Sequence, residues 1–314
     1  MWVSVVIPLY NKEDYVVRCV NSVLEQSFTD FELVIVDDGS TDNSAHLVSQ
    51  FTDPRIILVH QGNTGPGAAR NAGLLRSKGK YVAFLDADDY WNKDFLYVAV
   101  SRLESASQCD VFICGSTWQP GDQIRWPQLI EETNVSSGYW EIPDQISPVQ
   151  TQRIVDLFVL GAVVLRREVP LKYNGFFDIS HCTSGEDAYL WIQVMLNHAI
   201  FREFESLVTI NIQGSNLGIG RGEIKPVPPS LLHPEKLYQT CPKDKTAILK
   251  RLLDHTAFLA IRRELYALRM VSAIRLYLKF PDLIKYRTNE FPPFPKALFV
   301  IPLRKLIKLI LRGK

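Results

Sequence analysis

Three clusters of acidic residues carry the chemistry that this sequence suggests. They are Asp37 with Asp38, three aspartates at 86, 88 and 89, and Glu186 with Asp187. Carboxylate oxygens are the ligands that hard divalent cations prefer, and Mg²⁺ or Mn²⁺ commonly binds through one or two carboxylates plus the phosphates of a substrate. The pair Asp86 and Asp88 therefore indicates a Mg²⁺ or Mn²⁺ site that holds a diphosphate.

A metal at such a site also supports group transfer. If the leaving group is a nucleotide diphosphate, the cation offsets the charge that develops as the bond breaks. A separate carboxylate can then take the proton from an incoming hydroxyl, and Asp187 is the candidate. Arg70, within GPGAARNAG at residues 65–73, can add a positive contact to phosphate.

Each cluster also has a purely structural interpretation. The stretch DDGSTDNS at residues 37–44 suits a turn in which a polar side chain caps the next helix. The aspartates after residue 85 suit the polar end of a strand. Ser184, three residues before Asp187, matches a helix capping box. The occurrence of all three clusters in one chain favours the functional interpretation.

The elements that must position these residues alternate along the first 118 residues. Short runs rich in β-branched or aromatic residues predict buried strands at 3–10, 31–38, 55–61, 81–88 and 110–118. Stretches of helical period separate them, so we expect an α/β fold with a mostly parallel sheet flanked by helices. In such sheets ligands bind beyond the carboxyl ends of the strands, where the acidic clusters fall.

The pattern changes after residue 118. Prolines, glycines and tryptophans predict irregular structure over 119–150, and an apolar run predicts a strand within 156–169. A helix is expected at 184–199, a flexible loop at 216–229 and further helices at 245–278.

Charge is distributed unevenly over the 314 residues. Residues 245–314 hold 16 Lys and Arg against 4 Asp and Glu, whereas residues 1–244 hold 19 against 30. An acidic front and a basic tail predict two different roles for the two parts.

Cysteine usage and the first residues bear on location. The five cysteines are odd in number and form no C-x-x-C pair, which favours reduced thiols over a disulfide framework. The first 14 residues lack the features of a signal peptide, and no apolar stretch reaches the roughly 18–20 residues that span a bilayer. We therefore expect a cytoplasmic location.

Taken together, these stretches resemble glycosyltransferase family 2, the inverting enzymes of the GT-A fold. The matching sequences are VSVVIPLYNKEDYVVRCVNSVLEQSFTDFELVIVDDGSTDNS at 3–44, GNTGPGAARNAGLLRSKGKYVAFLDADDYW at 62–91 and SGEDAYLW at 184–191. The resemblance covers residues 2–118 in continuous order and resumes near 160–215. The order and spacing of the three stretches make it specific.

The resemblance implies a role for each matching position. Pro8, Tyr10 and Glu13 would line the nucleotide pocket, and Asp38 would hydrogen-bond the base. Asp86 and Asp88 match the D-x-D motif, of which the first lies by the ribose and the metal and the second is the metal ligand proper.

The same resemblance implies the mechanism. Asp187 matches the general base, which would deprotonate the acceptor hydroxyl for a single displacement that inverts the anomeric carbon. Glu186 and Trp191 beside it are candidates for orienting acceptor or donor. A nucleotide-diphosphate sugar, with a UDP-sugar favoured, would be the donor, and a saccharide, free or lipid-linked, would be the acceptor.

Two family features are missing. The nearest string to the Q-x-x-R-W motif of processive members, Gln123-Ile-Arg-Trp126, is one residue short and precedes Asp187, so we expect transfer of one sugar per encounter. The histidine that often supplies a third metal ligand has no clear match. We expect a catalytic domain over 1–230, with a nucleotide-binding half at 1–118 and an acceptor-binding half at 119–230, followed by a helical region at 231–314.

The last 18 residues, ALFVIPLRKLIKLILRGK at 297–314, predict a short basic amphipathic helix. Such a helix can lie on an anionic membrane surface, which would place the protein at the inner face of the cell membrane. Packing on the protein's own helices is the alternative. Nucleic acid is not expected as a partner, because no aromatic and basic residues interleave and no known binding module is present.

Three functions other than glycosyl transfer share some features with this sequence. GPGAAR at 65–70 resembles a dinucleotide-binding G-x-G-x-x-G, but it follows the third strand and has Arg70 in place of the last glycine. A nucleotidyltransferase usually has a glycine-rich basic loop after the first strand, and none is present here. A non-catalytic nucleotide-sugar binding protein with the same fold remains an alternative, although every acid that catalysis requires is present.

Overall fold

The computed structural model describes residues 2–121, 123–124, 137–214 and 225–281. The chain divides into two compact units, residues 1–249 and residues 250–314. The boundary expected at residue 230 from the sequence stays a prediction.

Ten strands form one sheet in the first unit. They are β1 (Val3–Leu9), β2 (Phe31–Asp37), β3 (Ile56–His60), β4 (Tyr81–Phe84), β5 (Tyr90–Trp91), β6 (Val111–Gln119), β7 (Gln123–Ile124), β8 (Gly138–Trp140), β9 (Val163–Arg166) and β10 (Ile200–Asn211). The order across the sheet is β3-β2-β1-β4-β9-β6-β10-β5, and β7 and β8 pair with β6 and β10 outside this path.

Most of the paired length in the sheet is parallel. Strands β3, β2, β1 and β4 run parallel to one another, and β6 runs parallel to β10. Strand β9 is antiparallel to both β4 and β6, so these two strands point the same way. The predicted α/β architecture, a mostly parallel sheet flanked by helices, is confirmed, and the carboxyl ends of β1, β2, β4, β6 and β10 lie along one edge.

The first unit contains nine α-helices among its described residues, and a tenth begins in it and continues past residue 249. They are α1 (Val16–Leu24), α2 (Ser44–Ser49), α3 (Pro66–Arg76), α4 (Phe95–Ser105), α5 (Pro148–Leu157), α6 (Glu168–Lys172), α7 (Glu186–Asn197), α8 (Pro229–Leu232) and α9 (Pro234–Thr240), with α10 (Thr246–Tyr266) continuing beyond it. Short 3₁₀ turns occupy Leu160–Ala162 and Lys243–Lys245.

The core explains why the sequence shows apolar runs rather than alternation. Every residue of β2 and β4 is buried, because helices cover both faces of the sheet. Helix α1 contributes Val16, Cys19, Val20 and Val23 at helical spacing to this core. Since the central strands are held on both sides, the loops at their carboxyl ends start from fixed points.

The segment 148–166 differs from the sequence-based prediction. A strand was expected within 156–169, but helix α5 extends to Leu157 and only Val163–Arg166 is a strand. Ser147 and Gln150 form a capping box in which each side chain bonds the other's backbone N–H at 3.2 Å, and this starts the helix. The apolar residues Ile154, Val155 and Leu157 therefore belong to the buried side of a helix.

The second unit is described up to residue 281. Helix α10 ends at Tyr266 and α11 covers Met270–Lys279, in agreement with the helices predicted at 245–278. No helix in the described ranges is both long enough and apolar enough to cross a bilayer. All five cysteines of the chain are free thiols.

Candidate active site

The site lies at the edge of the sheet where β1, β2, β4 and β10 end. Residue pairing aligns Leu9 of β1 with Asp37 of β2, and the backbone N–H of Asp38 donates to the carbonyl of Leu9 at 2.8 Å. The N–H of Leu85 donates to the carbonyl of Val6 at 3.0 Å. These contacts bring the first loop, Asp38 and residues 86–89 to neighbouring positions, although they are far apart in sequence.

The loop after β4 is held by Asp89, which is buried. Its N–H donates to the carbonyl of Asp86 at 2.9 Å, and its carboxylate accepts from the N–H of Asn211, at the end of β10, at 2.8 Å. Burial, with the charges of Asp88 and Asp86 next, raises the pKa of Asp89 well above its usual range. The third aspartate of the cluster therefore fixes the loop that presents Asp86 and Asp88.

Arg70 of α3 joins two of the acidic clusters. Its Nη2 donates to Asp86 Oδ1 at 2.9 Å, and its Nη1 donates to Glu186 Oε1 at 2.7 Å. The guanidinium side chain is 6% exposed, whereas the Asp86 side chain is 37% exposed. An arginine so deeply buried requires this charge pairing, and the pairing locks the start of α7 beside the loop after β4.

Gly67 allows α3 to come close enough for this contact. A Cβ at position 67 would lie 2.4 Å from the carbonyl oxygen of Phe177 and 3.5 Å from Cγ of Glu186. Gly67 thus allows the close packing of α3 beside Glu186, the partner of Arg70. Helix α3 follows β3, so the arrangement does not match a dinucleotide-binding turn after the first strand.

Asp187 lies in the first turn of α7, partly exposed. Burial of the carboxyl and then the charge of Glu186 raise its pKa to about 6, and the charge of Arg70 opposes this shift. Ser184 does not cap the helix: Gly185 is the N-cap, and no side chain caps it. A carboxylate with this pKa is suited to accept a proton near neutral pH.

Asp88 pairs with a lysine from the first loop. Lys12 Nζ lies 2.7 Å from Asp88 Oδ2, and the side chains are 14% and 8% exposed. Burial and the charge of Asp86 raise the pKa of Asp88, while Lys12 acts in the opposite direction. The contact joins the loop after β1 to the loop after β4.

Asp38 organises the loop between β3 and α3. Its carboxylate accepts hydrogen bonds from the N–H of Thr64 and of Gly65, both at 2.9 Å, and from the side chain of Gln61 at 2.8 Å. The side chain is buried. The contact with a nucleotide base that the family resemblance implies for Asp38 stays a prediction.

The other residues expected in the nucleotide pocket lie in or next to β1. Pro8 is within the strand, opposite Val36 of β2, and Tyr10 follows it with 41% of its surface exposed. Glu13 accepts from the N–H of Asn43 at 2.9 Å. Tyr10 is thus available to a ligand, whereas Glu13 ties the first loop to the start of α2.

Two residues proposed to orient substrates are buried. Glu186 is the partner of Arg70. Trp191 is 1% exposed and packs between Phe158 and Phe176, with ring centroids 5.5 and 5.8 Å away. An effect of Trp191 on substrates would therefore act through the packing of α7 rather than by contact.

The residues present suit a divalent cation bound together with a diphosphate. Asp86 and Asp88 supply hard carboxylate oxygens, the donor type that Mg²⁺ and Mn²⁺ prefer. Among the described residues, no group of three His, Cys, Asp or Glu side chains is placed to hold a metal. The remaining ligands would come from phosphate and water, as is common for Mg²⁺.

Sequence reasoning missed Lys12, although it stands inside the quoted first stretch. Arg18, also within that stretch, donates to the backbone carbonyl of Asp88 at 3.3 Å and stacks over Tyr90. His198, at the end of α7, contacts Asp110 at 2.7 Å and Tyr173 at 2.9 Å. Arg221, in the loop expected at 216–229, lies outside the described residues.

The model of the family described as Glycosyl transferase family 2 matches residues 4–172. Glycosyltransferase GlyA of Streptococcus pneumoniae is 41% identical over 212 residues, which cover 67% of this chain and 29% of that protein. The chain spans about a third of the length of the first curated relatives it matches, which are named as uncharacterized glycosyltransferases.

Two solved structures share the fold. TarS 1–349 of S. aureus in complex with UDP-GlcNAc has a TM-score of 0.60 at 22% identity and covers 97% of this chain and 78% of its own. The mannosyltransferase PcManGT of Pyrobaculum calidifontis, in complex with GDP-Man and Mn²⁺, has a TM-score of 0.57 at 18% identity. The match covers 98% of this chain and 80% of the PcManGT chain.

Proposed function

The chain belongs to glycosyltransferase family 2, and on that premise we propose that it transfers one sugar from a nucleotide-diphosphate sugar to an acceptor hydroxyl with inversion. The observation that carries the proposal is the double pairing of Arg70 with Asp86 and Glu186, which holds the D-x-D motif and Asp187 at one edge of the sheet. A UDP-sugar is the favoured donor, as in the complex of TarS.

In the proposed reaction the acceptor oxygen attacks the anomeric carbon while the bond from that carbon to the phosphate oxygen breaks. The electron pair of the broken bond leaves with the nucleotide diphosphate. Asp187 accepts the proton of the acceptor hydroxyl, for which its raised pKa is suited. Mg²⁺ or Mn²⁺ at Asp86 and Asp88 would supply charge stabilisation of the leaving diphosphate when bound.

The proposed acceptor is a saccharide, free or carried on a lipid, in cell-surface polysaccharide assembly. Transfer of a single sugar per encounter is proposed from the absence of a Q-x-x-R-W motif after Asp187. Product analysis by NMR after transfer to a soluble acceptor would establish both the anomeric configuration and the number of sugars added.

We propose attachment to an anionic membrane surface through residues 297–314, which lie outside the described residues. Support comes from the charge of residues 245–314 and from exposed apolar side chains in the second unit, among them Leu268 at 84% and Val271 at 61%. Replacing Arg304, Lys305, Lys308 and Arg312 by Gln together should lower co-sedimentation with phosphatidylglycerol vesicles. Equal sedimentation of variant and wild type would refute this attachment.

The central experiment is a thermal-shift screen of the wild type against UDP-sugars and GDP-mannose, with and without Mn²⁺, followed by donor hydrolysis. A ligand that binds the native state raises the melting temperature. Asp187→Asn should bind the donor as the wild type does but hydrolyse it at least about 100-fold more slowly. Asp144→Asn, an exposed aspartate, is the matched control. Absence of any nucleotide-sugar binding would overturn the proposal, and equal hydrolysis by Asp187→Asn would remove that residue as the base.

A further inference from the structure

Lys12 links two distant parts of the site through its ammonium group. Nζ donates to Asp88 Oδ2 at 2.7 Å and to the backbone carbonyl of Gly214 at 2.5 Å. The backbone N–H of Lys12 donates to Ser44 Oγ at 2.7 Å, which fixes the point from which the side chain extends. The ammonium is therefore directed at the carboxylate that the family resemblance makes the metal ligand.

The approach of Gly214 to this pair depends on the absence of a side chain. A Cβ at position 214 would lie 2.7 Å from Cβ of Asp88 and 3.1 Å from its Oδ2. The residue lies in the turn that follows β10, and its carbonyl accepts a hydrogen bond from the Lys12 ammonium. One lysine thus connects the loops that follow β1, β4 and β10.

A divalent cation and this ammonium cannot share Asp88 at low energetic cost. Like charges a few ångströms apart in a partly buried site repel strongly, because water screens them poorly there. Lysine, however, is a compact charge on a flexible four-carbon stem, and it is a common ligand of phosphate. An anionic diphosphate beside Asp88 gives the displaced ammonium a new partner.

We propose that Lys12 competes with the divalent cation for Asp88 and transfers to the diphosphate of the bound nucleotide, so that nucleotide and metal bind cooperatively. When the cation binds alone, it displaces the Lys12 ammonium from Asp88 and the ammonium gains no new partner. When a nucleotide binds as well, the displaced ammonium pairs with its diphosphate. This inference rests on the proposed function. Because coupling of two ligands is reciprocal, each should tighten the binding of the other by the same factor.

The test measures Mn²⁺ affinity by electron paramagnetic resonance and UDP affinity by calorimetry on the full chain. For Lys12→Met, the affinity for Mn²⁺ alone should rise about fivefold or more, and the factor by which UDP tightens Mn²⁺ should fall by about fivefold or more. Lys12→Arg, which keeps the charge, should bind Mn²⁺ alone nearly as the wild type does. Lys93→Met, at an exposed lysine, should leave the affinity for Mn²⁺, the affinity for UDP and the coupling factor between them unchanged.

A second variant guards against loss of folding, since Lys12→Met leaves Asp88 without its cation. Lys12→Gln keeps a hydrogen-bond donor and removes the charge, so it should show the same gain in affinity for Mn²⁺ alone. A wild type that binds both ligands, with Mn²⁺ affinity unchanged in Lys12→Gln, overturns the role of Lys12 and leaves the proposed function intact. A wild type that binds neither Mn²⁺ nor UDP overturns both.

Discussion

Arg70 donates a hydrogen bond of 2.7 Å to Glu186 across 116 positions of sequence. The same guanidinium reaches Asp86, so one buried side chain fixes the geometry between the two ends of the site. Neither contact can be predicted from local sequence, because both partners of Arg70, Asp86 and Glu186, reach the edge of the sheet from other parts of the chain. The arginine also reduces the repulsion among carboxylates that would otherwise face one another.

Replacing Arg70 by Met should destabilise the protein and disturb the base. Buried Glu186 and partly exposed Asp86 lose their cation, and breaking a buried ion pair typically costs about 3–5 kcal/mol. The pKa of Asp187 should rise, because Arg70 holds it down. Urea unfolding and carbon-13 NMR titration of the aspartate carboxyls measure the two effects. Arg76→Met, at an exposed position at the end of the same helix, should change neither.

The rate of glycosyl transfer should depend on the ionisation of Asp187. Burial and the charge of Glu186 raise its pKa to about 6, and only the deprotonated carboxylate can accept the acceptor's proton. We therefore expect kcat/KM to fall about tenfold per pH unit below this pKa and to level off above it. A profile that stays flat from pH 5 to pH 8 would contradict the assignment.

Asp187→Asn should stabilise the fold at pH 7. A carboxyl whose pKa is higher in the folded state than in the unfolded state binds its proton more tightly when folded. Its ionisation therefore lowers stability as pH rises through the window from about 4 to about 6. Melting temperatures of variant and wild type should differ at pH 7 and converge towards pH 4, and Asp144→Asn should show no such convergence.

The strands and the acidic edge were predictable because their signals are local. Runs such as 31–37 are apolar throughout, since helices cover both faces, and polar residues follow where the strand ends. The helix at 148–157 also had a local signal, the Ser147 and Gln150 capping box, but proline and glycine nearby suggested irregular structure. The capping box favours a helix and the nearby proline and glycine favour a loop, so the local sequence did not decide between the two.

The contacts within the site were less predictable, because they join side chains far apart in sequence. Lys12 and Asp88 are separated by 76 positions, and no spacing rule pairs them. Trp191 shows the opposite problem: it stands one helical turn after Asp187 on the same face of α7, so sequence proximity suggested the site. Packing against Phe158 and Phe176 instead buries the indole in the core. Packing, which the sequence does not reveal directly, decides between these outcomes.

Gly67→Ala should destabilise the site. The added Cβ would lie 2.4 Å from the backbone carbonyl of Phe177, so α3 must shift away from that segment. Forcing extra volume into close packing typically costs about 1–3 kcal/mol, and donor affinity should fall because Arg70 moves with the helix. Gly62→Ala, where a Cβ meets no atom within 4 Å, is the control, and urea unfolding with donor titration measures both variants. Equal stability of the two variants would contradict this account of the close approach.

Trp191→Phe tests whether this residue acts on substrates or only on packing. Its ring lies between Phe158 and Phe176 in the core, so a smaller ring leaves a cavity and should lower stability by about 1–3 kcal/mol. The KM values for donor and acceptor, measured well below the melting temperature, should stay within about twofold because a side chain 1% exposed touches neither substrate. Trp2→Phe, at a tryptophan that is 38% exposed, is the matched control and should lose less than about 0.5 kcal/mol. A large rise in the acceptor KM of Trp191→Phe without loss of stability would instead place the indole in contact with the acceptor.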